Sequence, residues 1–328
     1  MLKRRNLVTL IAGTFLVVSS AMAQFADRNI KFTNGVNEDH PVGVGVKKMQ
    51  EVLAAKTGGK MKITAFWGGA AGGDLPATQA LRAGTQEMVC TSSSPLVGII
   101  KELGVFDLPF LFANEKEADA VLDGAAGRYF NAKLEAAGLV NLAYWENGWR
   151  AFTNNKRPVN KPEDLKGLKI RSTPNPYHIQ AFKLLGMNPS PMPIAELYTA
   201  LETGTFDAQE HPINVTWSSK FYEVQKHLTV SNHVYSPLIV AMNKGKFDSL
   251  PANYQTIVVE AAREAAKYQR SLNASNAGKV VADLKKSGMQ VIENVDMAPF
   301  QKIVSAEIAK TFGEKNGPAL LQAIENTK

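Results

Sequence analysis

Short apolar segments alternate with amphipathic ones through the first third of the chain. The segments NIKFTNG and KMKITAFW alternate apolar and polar residues, which is the period of a half-buried strand. Between them, PVGVGVKKMQEVLAAKT has the apolar spacing of a helix and is followed by Gly58 and Gly59, which favour a helix stop. The next segments, DLPATQALRAG and TQEMVCTS, predict a second helix and a third strand. This β-α-β-α-β order predicts an α/β protein whose sheet is covered by helices.

The same alternation continues in the middle of the chain. GLVNLAYWENGW predicts a strand that ends just before Arg150, and EDLKGLKIRS predicts one that ends at Arg171. Helices are predicted at PYHIQAFKLLG and IAELYTALETG, and a strand at FDAQEH. YSPLIVAMN predicts a strand that returns to the first sheet. Because no internal repeat or low-complexity linker is present, we expect two lobes joined by ordinary strands and a helix, which suits hinge bending.

The stretch from Ser249 to Gly288 predicts one long helix. Ser249 offers an N-cap, Pro251 lies in the first turn, and Gly288 offers a C-terminal stop. Apolar side chains between them recur every three or four residues. At about 1.5 Å per residue, such a helix would exceed about 50 Å, which is longer than a small domain is wide. The helix either breaks near NASNAG or braces both lobes, and we favour the brace.

Residues 1–23 have the pattern of a secretory signal peptide. Lys3, Arg4 and Arg5 precede a short apolar run that ends at Ala-Met-Ala, residues 21–23. The run is too short to span a bilayer comfortably, although an uncleaved N-terminal anchor is the alternative. We therefore predict that residues 1–23 are removed and that the mature protein is periplasmic.

Charge and cysteine content restrict the possible partners. Removing residues 1–23 lowers the formal charge from +7 to +4, because 37 basic residues become 34 while the 30 acidic residues remain. This mild, scattered excess is unlike a nucleic-acid-binding surface, although it would help attract an anionic small molecule. The single cysteine, Cys90, forms no intramolecular disulfide, and its apolar neighbours predict a buried strand residue rather than a reactive thiol.

The sequence carries no familiar catalytic or metal-binding pattern. GxSxG, HExxH, CxxC and P-loop motifs are all missing. Asp207, Glu210 and His211 lie close together in DAQEHP, but Pro212 disturbs helical spacing, and we predict no metal site and no cofactor. One enzymatic alternative stays open, which is an exported hydrolase or lyase that acts on a small organic acid through His211 and Glu210. We favour binding without catalysis.

Two arginines stand where apolar strands are predicted to end. Arg150 follows YWENGW and Arg171 follows GLKI. A guanidinium group holds a carboxylate through two parallel hydrogen bonds, and open α/β sheets bind ligands beyond the carboxyl ends of their strands. Together the two arginines predict an anion pocket. Trp67, before the glycine-rich run GGAAGGD, is either a core residue or a pocket wall, and that run is either a turn or a loop that lets backbone approach a ligand.

Several segments resemble a known family. ALRAGTQEM, LPFLF, PEDLKGLKIRS, MPIAELYTALETGTFDAQEHP and FYEVQKHLT are similar to the extracytoplasmic solute receptors of TRAP transporters, the DctP family. AYWENGWRAFTN and DAQEHPINVTWSSKFYEVQK resemble the branch of that family that binds 2,3-diketo-L-gulonate. The resemblance implies a two-lobed periplasmic binding protein clamp with a long helix bracing both lobes. It also implies capture of an organic acid and delivery to the membrane subunits of a permease driven by an ion gradient.

The resemblance assigns roles to particular residues. It implies that Arg171 grips the ligand carboxylate and that Arg150 assists. His211 replaces the Asn of the family's QENP motif, which implies a ligand that bears a hydroxyl or keto group. By position, the remaining candidate pocket walls are Asn147, Ser92, Ser93, Trp67, Ile194, Asn214 and Tyr235.

We therefore expect two lobes and one ligand class. Lobe I comprises residues 24–148 and 237–276, and lobe II comprises residues 149–236 and 277–328. The expected ligand is a carboxylate-bearing sugar acid or keto acid, such as a diketogulonate-like or uronate-like compound, bound by a monomer. A receptor for ATP-driven uptake would have a similar composition, but the family motifs speak against it.

Overall fold

The structure is a computed structural model that describes residues 26–328, so the predicted signal peptide lies outside the described residues. Its strands are β1 (Arg28–Asn34), β2 (Met61–Phe66), β3 (Met88–Ser92), β4 (Leu139–Asn154), β5 (Lys169–Ser172), β6 (Asn188–Pro191), β7 (Ala208–Pro212), β8 (His227–Thr229), β9 (Tyr235–Asn243) and β10 (Gln290–Ile292). Its helices are α1 (Pro41–Thr57), α2 (Asp74–Arg82), α3 (Glu115–Asp123), α4 (Ala125–Ala136), α5 (Pro176–Leu184), α6 (Leu197–Glu202), α7 (Ile213–Ser218), α8 (Lys244–Asp248), α9 (Ala252–Lys286), α10 (Ala298–Asn316) and α11 (Ala319–Glu325). The predicted α/β class is confirmed.

Strand β4 joins the two halves of the sheet. The strand order is β2-β1-β3-β9-β4-β7-β5-β6, and β8, paired with β10, also joins β4. From Leu139 to Trp149, β4 pairs with β9, and from Arg150 to Asn154 it pairs with β7, joined by β8 from Phe152 onwards. β9 returns to β3 as predicted. The division into lobes by residue number stays a prediction, and this change of partner strand after Trp149 supports it.

The predicted end of β4 before Arg150 is wrong. The strand continues to Asn154. A register shift between Glu146 and Gly148 lets it do so, because Gly148 adopts a φ of 117° that redirects the chain into the second half of the sheet. Arg150 therefore lies inside a strand shared by both halves.

Helix α9 is unbroken over 35 residues, which confirms the predicted brace. Its N-terminal part buries Val258, Ala261 and Ala265 against the first half of the sheet, whereas Leu284 packs with Leu228 of β8 in the second half. The predicted N-cap is wrong, because Ser249 ends α8 and Pro251 occupies the cap position of α9.

The cores lie on both sides of the shared strand. Cys90 is fully buried in β3, as predicted, within a cluster that also contains Phe32, Trp145 and Val240. None of the helices within residues 26–328 combines the length and the apolar character needed to cross a membrane.

Helix α1 approaches β4 closely at Gly45. A Cβ atom at this position would lie 2.6 Å from the ring of the fully buried Trp145, whose indole nitrogen donates to the Ala262 carbonyl at 3.0 Å. We predict that Gly45→Ala destabilises the fold by about 1–3 kcal/mol, which is the usual cost of overpacking a core. Urea unfolding measures the loss as a lower midpoint at an unchanged slope.

Gly278 in α9 provides the matched control. A Cβ atom there meets nothing within 4 Å. Gly278→Ala is therefore expected to stabilise the helix by about 0.5–1 kcal/mol. An equal midpoint for Gly45→Ala and the parent would contradict the close contact with Trp145.

Candidate functional site

A cavity of about 530 Å³ lies where the two halves of the sheet meet. The carboxyl ends of β1 and β3 reach it from one half and those of β5 and β7 from the other, through Asn34, Ser92, Arg171 and His211. This position and size suit a small organic ligand.

Six of the ten predicted site residues line this cavity, namely Arg171, Arg150, His211, Asn147, Ser92 and Ile194. The other four lie beside it or elsewhere, and their predicted roles stay untested. Ser93 is buried just after β3, and Trp67 packs against Phe32 with ring centroids 5.8 Å apart. Asn214 donates to Asn273 Oδ1 of α9 at 3.1 Å, and Tyr235 packs edge-on against Trp149.

Arg171 presents its guanidinium group to the cavity from the end of β5. The residue is 4% exposed. Its Nε donates to the Met192 carbonyl at 2.7 Å, and Nη1 donates to His211 Nε2 at 3.2 Å. Within residues 26–328 these two nitrogens carry its hydrogen bonds, so Nη2 is left for a ligand. Burial, and then the charge of Arg150, lowers the pKa of Arg171 to about 10, and the group stays protonated at neutral pH.

Arg150 also lines the cavity, but its charge is matched by Glu210 of β7. Arg150 Nε and Nη2 both donate to the Glu210 carboxylate, Nη2 at 2.8 Å, and Nη2 also reaches the Glu210 carbonyl at 2.7 Å. Both side chains are almost completely buried. Burial alone would raise the pKa of Glu210, but the charge of Arg150 and the nearby His233, whose Nε2 lies 3.4 Å from Glu210 Oε2, hold it well below its ordinary value. Arg150 is therefore tied into the fold before any ligand arrives.

His211 holds Arg171 in place. Because arginine only donates, His211 Nε2 accepts from Arg171, and its Nδ1 carries the proton and donates to Gln209 Oε1. Gln209 Nε2 in turn donates to Thr153 Oγ1 at 2.8 Å. Burial, followed by the charges of Arg150 and Arg171, keeps the pKa of His211 well below its ordinary value. His211 is a neutral hydrogen-bond acceptor on the cavity wall.

Glu210 and His211 do not form the catalytic pair that the enzymatic alternative requires. Glu210 and His211 are neighbours in β7, and successive strand side chains point to opposite faces. Glu210 is bound by Arg150, and the basic nitrogen of His211 faces Arg171. Asp207, the third member of the sequence cluster, accepts from the backbone of Lys169 at 3.0 Å. Within residues 26–328, no three His, Cys, Asp or Glu side chains are grouped to hold a metal ion.

Two polar residues that line the cavity were not among the predicted site residues. Asp74 begins α2 and lines the cavity, and burial raises its pKa to about 6 against the opposing effects of Arg171 and the Ser92 backbone. His40 caps α1, where its Nδ1 accepts from the Val42 N–H at 3.2 Å. The segments GGDLPAT and DHPV mark both as residues at helix starts, but only the folded loops show that they face the cavity.

Glu210→Gln removes the charge that compensates a buried guanidinium, and a broken buried pair typically costs about 3–5 kcal/mol. We expect urea unfolding to show a decrease of that size in the free energy of unfolding. The exposed Glu202 supplies the control, since Glu202→Gln should leave the free energy of unfolding almost unchanged. A loss below about 1 kcal/mol for Glu210→Gln would contradict the structural role of the pair.

Burial lowers the pKa of His40 from 6.5 to about 3 in the folded protein. Below pH 6.5 the unfolded chain therefore binds a proton that the folded protein does not bind. His40→Asn preserves an N-cap acceptor and serves as the reference. Relative to it, the free energy of unfolding of the parent should fall by at most about 1.4 kcal/mol per pH unit as the pH falls from 6.5 towards 3.

Urea unfolding of both proteins at pH 7.5, 6.0 and 4.5 measures this difference. Above pH 7 it should be constant, because His40 is then neutral in both states. A difference that stays constant down to pH 4.5 would show that His40 is protonated equally in the folded and unfolded states.

Comparison with known proteins agrees with this geometry. Residues 32–315 match the family model described as bacterial extracellular solute-binding protein, family 7, or DctP. The 2,3-diketo-L-gulonate-binding periplasmic protein YiaO of Escherichia coli (strain K12) is 40% identical over 320 residues, which cover 97% of each chain.

Solved structures show the same fold. The sugar acid binding protein DctPAm from Advenella mimigardefordensis strain DPN7T, in complex with galactonate, is 38% identical with a TM-score of 0.88, covering 93% of this chain and 100% of that one. A TRAP periplasmic solute binding protein from Polaromonas sp. JS666, bound to D-erythronate, is 37% identical with the same TM-score, covering 91% and 98%. The likeness confirms the predicted two-lobed clamp. The chain belongs to the DctP family of TRAP solute-binding proteins.

Proposed function

We propose that this protein is the periplasmic receptor that captures a monocarboxylic sugar acid or keto acid for a TRAP permease. The observation that carries the proposal is the guanidinium group of Arg171, buried at the end of β5 in the lining of the cavity, with Nη2 making no hydrogen bond within the described residues. A buried cation without a carboxylate partner favours an anionic ligand. The galactonate and D-erythronate of the neighbouring structures each carry one carboxylate and several hydroxyl groups.

The ligand carboxylate is placed against Arg171. His211 and the Met192 carbonyl fix the plane of the guanidinium group through Nη1 and Nε, so the group meets the ligand already oriented. Such preorganisation reduces the entropy lost on binding. Ser92 and Asn147 add polar atoms to the wall of the cavity. Both ring nitrogens of His211 are already hydrogen-bonded, to Arg171 and Gln209, so His211 acts on the ligand by orienting Arg171.

Closure of the two lobes completes the capture. The cavity is lined from both halves of the sheet, and at the predicted lobe boundaries the chain crosses between the lobes in β4, β9 and α9. The protein then acts as a monomer that releases the ligand unchanged to the membrane subunits. Export through the predicted signal peptide supplies the periplasmic location.

Calorimetric titration of three arginine variants tests the proposal. A thermal-shift screen of galactonate, D-erythronate, glucuronate and 2,3-diketo-L-gulonate selects the probe, since a bound ligand stabilises the folded state. Arg171→Ala should weaken binding by two to four orders of magnitude, which corresponds to about 3–5 kcal/mol. Arg171→Lys keeps the charge but loses the planar fork, and it should also bind poorly.

The exposed Arg263 of α9 is the matched control, and Arg263→Ala should bind like the parent. Unliganded Arg171→Ala should be at least as stable as the parent, because it removes a buried charge that lacks a carboxylate partner. Binding by Arg171→Ala within threefold of the parent would place the carboxylate elsewhere and refute the proposal.

A further inference from the structure

Two polar side chains, those of His40 and Asp74, line the cavity on the side of the first half of the sheet. We infer that His40 and Asp74 together recognise a ligand hydroxyl, and that they select polyhydroxylated monocarboxylates against dicarboxylates of the same length. The inference rests on the proposed function, because it assumes that Arg171 binds the first carboxylate.

His40 offers one unused hydrogen-bond donor. Its side chain is fully buried and lines the cavity. Because Nδ1 accepts from the Val42 N–H, the ring proton resides on Nε2. Nε2 has no hydrogen-bond partner within the described residues. A buried donor without a partner is unfavourable, and a ligand oxygen that accepts from it removes that penalty.

Asp74 offers an acceptor in the same cavity. Its Oδ1 lies against the turn after β1, where a Cβ atom on Gly35 would be 3.0 Å away. The side chain is not part of any ion pair closer than 4 Å within residues 26–328, although Arg171 is near enough to lower its pKa. An ionised carboxylate only accepts hydrogen bonds.

A hydroxyl group matches this pair, and a second carboxylate does not. A hydroxyl accepts from His40 through its oxygen and donates to Asp74 through its hydrogen. A ligand carboxylate has no hydrogen to donate, and it would face the like charge of Asp74. The match requires both residues to reach the same ligand hydroxyl from the cavity that they share.

The charges around the cavity lead to the same conclusion. Arg150 and Arg171 contribute two positive charges to its lining, and Asp74 and Glu196 contribute two negative ones. Glu210, just behind the wall, already neutralises Arg150. One ligand carboxylate is therefore matched by Arg171, whereas a second has no cation left in the lining.

Titration calorimetry at pH 7.5 with galactonate and galactarate tests the inference. The two probes share a six-carbon polyhydroxylated chain, and galactarate carries a carboxylate at both ends. The parent should bind galactonate at least tenfold more tightly than galactarate. Asp74→Asn should reduce that preference at least fivefold, chiefly by strengthening galactarate binding. His40→Asn, which keeps an N-cap acceptor but withdraws the Nε2 donor, should weaken galactonate binding about tenfold.

Asp39→Asn is the matched control, because it removes an exposed acidic charge next to His40 that does not line the cavity. It should leave both affinities within twofold. Equal binding of galactonate and galactarate by the parent, unchanged by Asp74→Asn, would overturn the inference and leave the Arg171 anchor standing. Binding of galactonate by His40→Asn within twofold of the parent would remove His40 from the pair. Failure of the parent to bind either probe or any screened sugar acid would refute both the inference and the proposed function.

Discussion

The buried pair of Arg150 and Glu210 is the constraint on which the site depends. It links the crossing strand β4 to β7 at the floor of the cavity, and a bidentate ion pair fixes both side chains in one plane. It also cancels one of two neighbouring guanidinium charges. Without that cancellation, two like charges would lie side by side in a nearly dry environment. Within the described residues, Arg171 is left without a carboxylate partner. The cavity therefore has one end that favours the ligand carboxylate.

The helices and strands were predictable because the sequence signals that specify them lie within a few neighbouring residues. The strands before Cys90, the 35-residue helix α9 and the position of Arg171 at a strand end all follow from periodicity and end signals within a few residues. The predicted return of β9 to the first sheet is confirmed by its pairing with β3.

What could not be predicted depends on contacts that are distant in sequence. Arg150 has the same local setting as Arg171, yet it is paired because Glu210, sixty residues away, lies on the adjacent strand. The roles of His40 and Asp74 depend on loops that fold over the cavity, and no periodicity encodes that position. His211 lines the cavity, but its tautomer is set by Arg171 and Gln209 together, which the sequence does not reveal.

The bulge of β4 has a consequence for how the protein bends. Opposite Glu146 lies Pro237, which has no N–H to donate. Gln269 of α9 takes the place of the missing strand partner, since its amide accepts from the Glu146 N–H at 2.9 Å and donates to the Glu146 carbonyl at 2.6 Å. A side chain of helix α9 thus makes the backbone hydrogen bonds that a neighbouring strand would otherwise make. If β4 bends here in the proposed closure, the hydrogen bonds to Gln269 keep the Glu146 backbone groups paired.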